Sequence, residues 1–258
     1  MAQCGARGQS AVELTQGLRG LGGDPLWRGA FCVTRLKQID ASRTSAGNAR
    51  WRTALASACV ALAGVLIAHA ATDGFSAYTL ESARRLKALR SPTPVPASAL
   101  ELADGGRAAL DAIGAPVLLI DFVYTRCETW CSVLGTTFTR LQQRLAAEIA
   151  AGDVRLVSIS FDPQHDDPAA LAAYRARHRG DPQAWALGRP AIGAELKRWL
   201  DAFGVVVIRD EFGGFAHNAA VHVVGPDRKL IAIHDPDELD TVVARVRKLL
   251  DETRHAHR

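Results

Sequence analysis

The sequence predicts an α/β fold in which a central mixed sheet is flanked by helices and preceded by a single apolar N-terminal helix. From about residue 97 onward, short apolar runs alternate with segments of helical periodicity, which is typical of α/β layers around one sheet. Two of the last strand-length runs flank a Gly-Pro-Asp turn at 225–227, which indicates an antiparallel hairpin. Residues 53–71 contain no Asp, Glu, Lys or Arg and are long enough for a membrane-spanning helix.

The composition permits a folded core and argues against a nucleic-acid partner. Of the 258 residues, 48% are hydrophobic and 22% are charged, as in ordinary globular proteins. The net charge is +4, but residues 1–52 alone hold seven arginines and one lysine against three acidic residues. The remaining chain is therefore almost neutral, and we expect no basic surface that would bind phosphates.

The N-terminal part is expected to export the domain that follows it. Residues 1–52 are rich in Gly, Arg and Ser and form a basic leader that we expect to be disordered. The apolar stretch 53–71 follows Arg50 and Arg52, which is the pattern of a signal sequence or of a single membrane span. A buried core helix is the alternative.

The sequence leaves open whether this segment is an anchor or is removed. Ala68-His69-Ala70 has the small-x-small pattern of a cleavage site, whereas the length of 53–71 favours a permanent span. We favour a single pass through the inner membrane with the domain in the periplasm, or release to the periplasm by cleavage after Ala70. Cys59 is interpreted as a small apolar residue of this run.

Residues 72–96 are predicted to form a tether, and the folded domain is predicted to span 97–258. The tether contains a polar helical piece at 80–89 and then the proline-rich segment 91–96, which should be stiff and extended. In the domain, the predicted strands are 100–102, 107–110, 117–124, 154–161, 205–208, 219–224 and 229–233. The predicted helices cover 134–149, 167–178, 190–203 and 235–250.

Cys127 and Cys131 are the two cysteines that lie close together in the sequence. They come at the junction of a predicted buried strand and a helix, where the helix N-terminus favours thiolates. A spacing of four residues places both sulfur atoms on one side of the first helical turn. The pair could form a redox-active disulfide or hold one metal ion. A purely stabilising disulfide is a weaker alternative, because so small a loop removes little chain entropy.

The surroundings of this pair match a known family. Asp121-Phe122 lies six residues before Cys127, like the buried Asp-Phe of thioredoxins, but three residues and not two separate the cysteines. With this spacing, residues 122–131 resemble the thioredoxin-like Sco/SenC family of copper chaperones. Further matches across residues 97–252 are Asp162-Pro163, Asp166-Asp167-Pro168, Trp185, Phe215-Ala-His217-Asn218 and 220–227.

The resemblance implies that Cys127, Cys131 and His217 together bind one copper ion, as Cu(I) or Cu(II). Two thiolates suit the soft Cu(I) ion, and an imidazole also permits Cu(II). The family's usual client is the copper site of cytochrome c oxidase. The implied partners are therefore an upstream copper donor and the copper-accepting subunit of a membrane oxidase, besides the membrane itself, contacted through 53–71.

Three positions depart from the family pattern. Glu128 and Ser132 stand where prolines are usual, which should loosen the loop and alter its redox potential or its choice of partner. Asn218 follows His217 where the family has Ser or Thr. None of these changes removes a ligand.

The other histidines are weaker candidates for ligands. His222 alternates with valines in a predicted strand, which indicates half-buried packing. His165 lies in a polar loop and is expected to be solvated, while His255 and His257 belong to a charged tail. Zinc is disfavoured because a closed structural site needs four ligands and the sequence offers three.

Asp121 permits two interpretations. It is either a buried acid that tunes the thiol pKa and relays protons, or a strand-end carboxylate that is paired with a base such as Arg126.

A redox function competes with copper delivery. A thiol–disulfide oxidoreductase would use the same two cysteines, one to attack a client disulfide and the other to resolve the mixed disulfide. The two activities can coexist, and a redox or copper sensor is a third, weaker interpretation. His217 distinguishes them, because a dithiol reductase does not require a distant imidazole whereas a copper site gains a ligand from it.

Overall fold

The computed structural model describes residues 45–72, 74–127, 130–211 and 213–256, and the side chains of 45–48, 130–132 and 256 lie outside this description. Most of the predicted leader therefore falls outside the described residues, as do Glu128 and His257. The chain divides between Ser57 and Ala58 into two units, the second of which contains the α/β domain.

The apolar N-terminal stretch forms helix α1 (Ser45–Ala71). Its part Ala49–Ala71 is long and apolar enough to cross a membrane, and none of its most apolar window is buried. Large side chains such as Val60 and Ile67 are exposed. A buried core helix does not fit this exposure, whereas a signal anchor does.

Most strands of the domain belong to one mixed sheet. Among the described residues, the strands are β1 (Thr93–Pro94), β2 (Leu100–Leu102), β3 (Arg107–Ala108), β4 (Val117–Val123), β5 (Val154–Ser160), β6 (Trp185–Arg189), β7 (Val207–Arg209), β8 (Phe215–His217), β9 (Val221–Val224) and β10 (Lys229–His234). Their order in the sheet is β1-β10-β9-β4-β5-β6-β2-β3, while β7 and β8 pair in a separate ribbon. β4, β5 and β6 are parallel, whereas β9 runs antiparallel to β4. The predicted mixed sheet is confirmed.

The helices of the domain cover both faces of this sheet. They are α2 (Leu80–Arg90), α3 (Trp130–Arg144), α4 (Ala146–Ala150), α5 (Pro168–Arg177), α6 (Ala194–Phe203) and α7 (Leu239–Ala256), with a short 3-10 helix at Leu110–Ile113. All seven residues of β4 are buried, as a central parallel strand requires when helices lie on both sides. At the start of α5, Pro168 takes the first turn and the Asp167 side chain accepts from the Ala170 amide, as the sequence predicts.

The side chains of β4 show which helices lie on which face. Phe122 packs edge-on against Phe203 of α6, at 5.1 Å between ring centroids. The neighbouring Asp121 points to the opposite face, because successive side chains of a strand alternate. It lies in register with Ser158, whose hydroxyl accepts from Trp185 Nε1, and the Trp185 ring packs on Phe138 of α3. Asp121 therefore lies under α3, the helix whose first turn holds Cys131.

The segment predicted to be a tether, 72–96, is in large part docked on the domain. Its polar piece forms α2 as expected, but Ala88 is buried in the core. Beyond α2, Thr93 pairs with Leu230, and the Val95 amide donates to Arg228 O at 3.0 Å. The proline-rich segment is extended as predicted, and this conformation also suits an edge strand, where a missing N–H is tolerated.

Four further features of the secondary structure differ from the sequence-based expectation. The strand β6 was not predicted, since Trp-Ala-Leu-Gly-Arg contains no β-branched residue. α6 begins at Ala194 and not at Pro190, because the backbone of Gly193 has φ of +88°, which is not a helical conformation. The predicted helix 134–149 divides at Leu145 into α3 and α4. His217 ends a strand, β8, that is not among the predicted strands.

Candidate metal centre

Cys127 follows β4 at the carboxyl end of the sheet. It is half-buried against the core, and its amide donates to Tyr124 O at 3.3 Å. The backbone places Cys131 in the first turn of α3, as the spacing predicts, but its side chain lies outside the described residues. The strand–helix junction of the two cysteines is therefore confirmed.

A buried carboxylate holds the loop that leads to Cys127. Asp166 accepts from the Thr125 hydroxyl at 2.6 Å and from the Thr125 amide at 3.1 Å. The Ser160 hydroxyl donates to the same carboxylate at 2.5 Å. Burial raises the pKa of Asp166 in spite of these bonds. In the sequence, Asp166 stood out only as part of the family match, because the sequence pattern does not show which groups its carboxylate binds.

Arg126, which directly precedes the first cysteine, pairs with a different acid than the one considered from the sequence. Its Nη2 lies 2.7 Å from Asp162 Oδ2, and His165 Nδ1 lies 2.8 Å from Asp162 Oδ1. Burial opposes ionisation of Asp162, but the hydrogen bonds from Arg126 and His165 hold its pKa below the ordinary value. His165 is thus tied to this pair and is not simply solvated, and Arg126 is not the partner of Asp121.

Asp121 is fully buried, and neither of its carboxylate oxygens has a hydrogen bond of normal geometry. Burial raises its pKa to about 8, and only the nearby Ser158 hydroxyl and its own backbone oppose this effect. Of the two interpretations drawn from the sequence, the pairing with Arg126 is therefore wrong. Asp121 is a neutral acid at pH 7 beneath the helix that begins at the thiol pair.

His217 is the third predicted ligand, and the structure describes the surroundings of its imidazole ring. It is partly buried at the end of β8, and neither ring nitrogen has a hydrogen-bond partner. Burial lowers its pKa to about 4, so the imidazole is neutral at pH 7. A neutral imidazole is the form that binds metal ions. A partly buried ring whose two nitrogens are buried and unpartnered fits a ligand position.

His222 has the opposite properties. It is 1% exposed, its Nδ1 lies 3.1 Å from Ile120 O, and its Nε2 lies 3.4 Å from Arg84 Nη1. Since arginine always donates, Nε2 is the acceptor and Nδ1 carries the proton. Burial lowers the pKa of His222 to about 3. With both nitrogens engaged, His222 is a packing residue, as the sequence indicates, although it is fully and not half buried.

An aromatic cluster holds His217 near the end of the sheet where Cys127 lies. The His217 ring is 5.0 Å from Phe161, which follows β5, and Phe161 is 5.3 Å from Tyr124, which follows β4. The Tyr124 hydroxyl accepts from the Phe215 amide at 3.3 Å, which ties β8 to this cluster. His217 and Cys127 are thus brought to the same end of the sheet.

No group of three or more His, Cys, Asp or Glu side chains able to hold a metal ion occurs among the described side chains, a set that excludes the Cys131 thiol. His217 does line a cleft of about 520 Å3 together with Val133 of α3 and Ala219, Asp235, Pro236 and Asp237. Val133 is two residues beyond Cys131. The cleft therefore opens beside the start of α3, with His217 in its lining.

Comparisons with known proteins agree with this fold. A family model described as SCO1/SenC matches residues 101–251. The chain is 32% identical over 130 residues to the SCO1 protein homolog of Bacillus subtilis (strain 168), an alignment that covers 50% of this chain and 66% of that protein, just under two thirds of its length.

Two solved structures show the same architecture. BsSco, described as a member of the Sco family of cytochrome c oxidase assembly proteins with a disulfide switch, is 28% identical with a TM-score of 0.55, covering 62% of this chain and 94% of that one. Arabidopsis thaliana ScoI with copper bound is 20% identical with a TM-score of 0.51, covering 61% and 98%, and supports the fold alone. Since the family model spans more than half of its length, the chain belongs to the SCO1/SenC family and has the thioredoxin-like fold of Sco proteins.

Proposed function

We propose that this protein binds one copper ion through Cys127, Cys131 and His217 and delivers it to the copper site of cytochrome c oxidase. The observation that carries the proposal is the state of His217. Its imidazole is neutral, both of its nitrogens are unpartnered, and it lies at the end of the sheet from which Cys127 projects. The description of BsSco as a member of a family of cytochrome c oxidase assembly proteins points to the same client.

The donor set suits copper in both oxidation states. Two thiolates favour Cu(I), and the added imidazole accommodates Cu(II). The N-terminus of α3 favours negatively charged sulfur. Transfer to a client would proceed by exchange of ligands, with His217 leaving first because it is carried by a separate ribbon, β7 and β8.

We further propose that α1 anchors the chain in the inner membrane and places the domain in the periplasm. The length, apolarity and exposure of Ala49–Ala71 support a span. Cleavage after Ala70 would instead release the domain to the periplasm. In either case an upstream donor would load the site, and a copper-accepting oxidase subunit would reach it through the cleft beside His217.

The test is a copper titration of the reduced, detergent-solubilised chain against a chromophoric chelator. We expect one copper per chain, and a loss of affinity of at least tenfold in His217→Ala, because one ligand of three is removed. His255→Ala, in which an exposed histidine of the tail is removed, is the matched control and should bind like the wild type. Equal affinities of wild type and His217→Ala, or no binding by either, would contradict the proposed ligand set.

A second candidate function is thiol–disulfide exchange on client cysteines. The specific observation in its favour is Asp121, a buried neutral acid under the helix that begins at the thiol pair. In this reaction one thiolate attacks the client disulfide, and the other cysteine then displaces the client as a dithiol while Cys127 and Cys131 become a disulfide. The disulfide switch described for BsSco supports the idea that such a pair can cycle.

The two functions are separated by measuring both activities on the same variants. Copper delivery requires His217, whereas reduction of a client disulfide does not. If His217→Ala keeps full reductase activity and the wild type binds no copper, the oxidoreductase is the function. If the wild type binds copper and does not reduce a peptide with the client's cysteine pair, the second candidate is eliminated.

A further inference from the structure

Helix α2 reaches the residue after His217 through a closed set of hydrogen bonds. Arg84 binds Glu81 on its own helix, with Nε and Nη2 donating to the carboxylate at 3.0 and 2.6 Å. Arg84 Nη1 donates to Gly204 O at 3.2 Å, and the Asn218 side chain donates to the same carbonyl at 3.1 Å. The Asn218 amide nitrogen also lies 3.5 Å from Glu81 Oε2. Arg84 and Asn218 therefore share two acceptors.

Asn218 links this set of bonds to the backbone of His217. Its side-chain oxygen accepts from the Val206 amide at 2.8 Å, while its side-chain nitrogen binds Gly204 O. β7, which begins at the next residue, pairs with β8 so that Val207 lies opposite His217. The backbone of His217 is thus held by its neighbour in sequence and by its neighbour across the ribbon.

The same helix also holds a wall of the cleft beside His217. Arg85 Nη1 donates to Asp235 Oδ2 at 2.8 Å, its Nη2 binds the other oxygen, and Asp235 lines the cleft. Arg85 Nε also binds Glu81 at 2.9 Å. Burial opposes ionisation of Glu81, but the hydrogen bonds from Arg84 and Arg85 hold its pKa below the ordinary value. Glu81 is therefore an ionised centre between two arginines.

The approach of Arg84 to Gly204 depends on the absence of a side chain there. Gly204 ends α6 with φ of +63°, and a Cβ added to it would lie 2.7 Å from Arg84 Cδ. The turn after α6 is thus shaped to receive this arginine.

We propose that Arg84 and Glu81 are positioning residues for His217. By fixing Asn218 and the turn after α6, they hold the imidazole at the end of the sheet where the thiol pair lies. No hydrogen bond orients the ring itself, since both of its nitrogens are unpartnered, so the ring is placed by its backbone together with its packing on Phe161. Only eight residues separate the end of α1 from the start of α2. The segment that directly follows α1 would therefore fix the position of the third ligand, His217.

This inference rests on the proposed function, because it concerns the third copper ligand. Its test is a double-mutant cycle on copper affinity in the full, solubilised chain, with Arg84→Met and His217→Ala alone and combined. Arg84→Met should weaken copper binding about tenfold, since it removes charged hydrogen bonds that fix the ligand. In the His217→Ala background the same change should have an effect smaller than about twofold, because no imidazole remains to be positioned.

Two further variants are compared with Arg84→Met to distinguish a loss of positioning from a general loss of folding. Lys87→Met removes an exposed charge from the same helix and should leave affinity unchanged. Glu81→Gln keeps the size of the side chain but lowers its charge, and should weaken binding less than Arg84→Met does.

A second readout needs no copper. Backbone amides of β7 and β8 in the apo-protein should exchange hydrogen about tenfold faster in Arg84→Met than in Lys87→Met, because the ribbon is released from α2. Amides of β4 and β5 should exchange alike in both variants.

The outcomes distinguish this inference from the proposed function. If His217→Ala leaves copper affinity unchanged, the ligand assignment fails, while the exchange experiment still decides whether α2 holds the ribbon. If His217→Ala weakens binding but Arg84→Met does not, the function stands and the positioning role is overturned. An equal effect of Arg84→Met in both backgrounds would overturn it as well, since the arginine would then act on the fold in general.

Discussion

Replacement of the buried acid beneath α3, in the variant Asp121→Asn, should change the stability of the protein in a manner that depends strongly on pH, and should stabilise it near neutral pH. Burial raises the pKa of Asp121 from its ordinary 3.8 to about 8, so the carboxyl takes up a proton as the chain folds. Between these two values, the stability of the wild type falls as pH rises. Asparagine has the same shape but no ionised form, and removes this dependence.

The magnitude follows from the two pKa values. One pKa unit corresponds to about 1.4 kcal/mol, so at pH 7 the cost of keeping Asp121 protonated is about 4 kcal/mol. The cost vanishes near pH 4 and levels off above pH 8. Asparagine introduces a constant penalty of about 1–3 kcal/mol, since its buried amide also lacks partners. The difference in free energy of unfolding between variant and wild type should therefore rise by about 1.4 kcal/mol per pH unit between pH 5 and 7.

The assay is urea unfolding of the reduced apo-protein from pH 4.5 to 8.5, followed by the fluorescence of its buried tryptophans. Asp237→Asn, at an exposed position, is the matched control and should show no such slope. A difference between Asp121→Asn and wild type that stays constant across this range would refute the reasoning, because it would mean that Asp121 titrates alike in the folded and unfolded chains.

Two further predictions concern packing near the site, and a third concerns the N-terminal helix α1. Gly204→Ala should lower the free energy of unfolding by about 1–3 kcal/mol in thermal or urea unfolding, because it adds a strained conformation and a clash with Arg84; an unchanged midpoint would contradict the close approach. Asp166→Ala should cost about 2–4 kcal/mol and speed hydrogen exchange at Thr125, whose amide and hydroxyl lose their acceptor, and exchange at the wild-type rate would argue against this anchor. The chain should remain in the membrane pellet after alkaline extraction with its mass intact; a mature N-terminus at Ala71 would show cleavage instead.

The parts of the fold that were predictable are those encoded locally. The buried runs that form β4 and β5, the Asp-Pro start of α5 and the position of the cysteines each follow from a short stretch of sequence. The docking of α2 was not predictable, because its helix is polar and its attachment depends on arginines that meet residues far along the chain. β6 was missed for a different reason, since only burial by its neighbours makes Trp-Ala-Leu-Gly-Arg a strand.

In the candidate site, too, some features were predictable from the local sequence and others depend on contacts in space. Residue type and family pattern pointed to His217 and Cys127, and strand alternation indicated packing for His222. The hydrogen-bond partners of the ring nitrogens of the two histidines were not predictable, because they depend on residues that are distant in the sequence. From the sequence, Asp121 could be either a buried acid or the partner of Arg126. In the structure, Arg126 pairs with Asp162 and not with Asp121. The ligand roles of Cys127, Cys131 and His217 all stay predictions.

The two outermost strands of the sheet, β1 and β3, are each only two residues long, and β1 contains Pro94. Such edges offer almost no unpaired backbone groups on which another chain could add a strand. A protein whose central strands β4 and β5 are mostly apolar gains from this arrangement whenever it unfolds transiently. Its sheet therefore cannot easily serve as a template for aggregation.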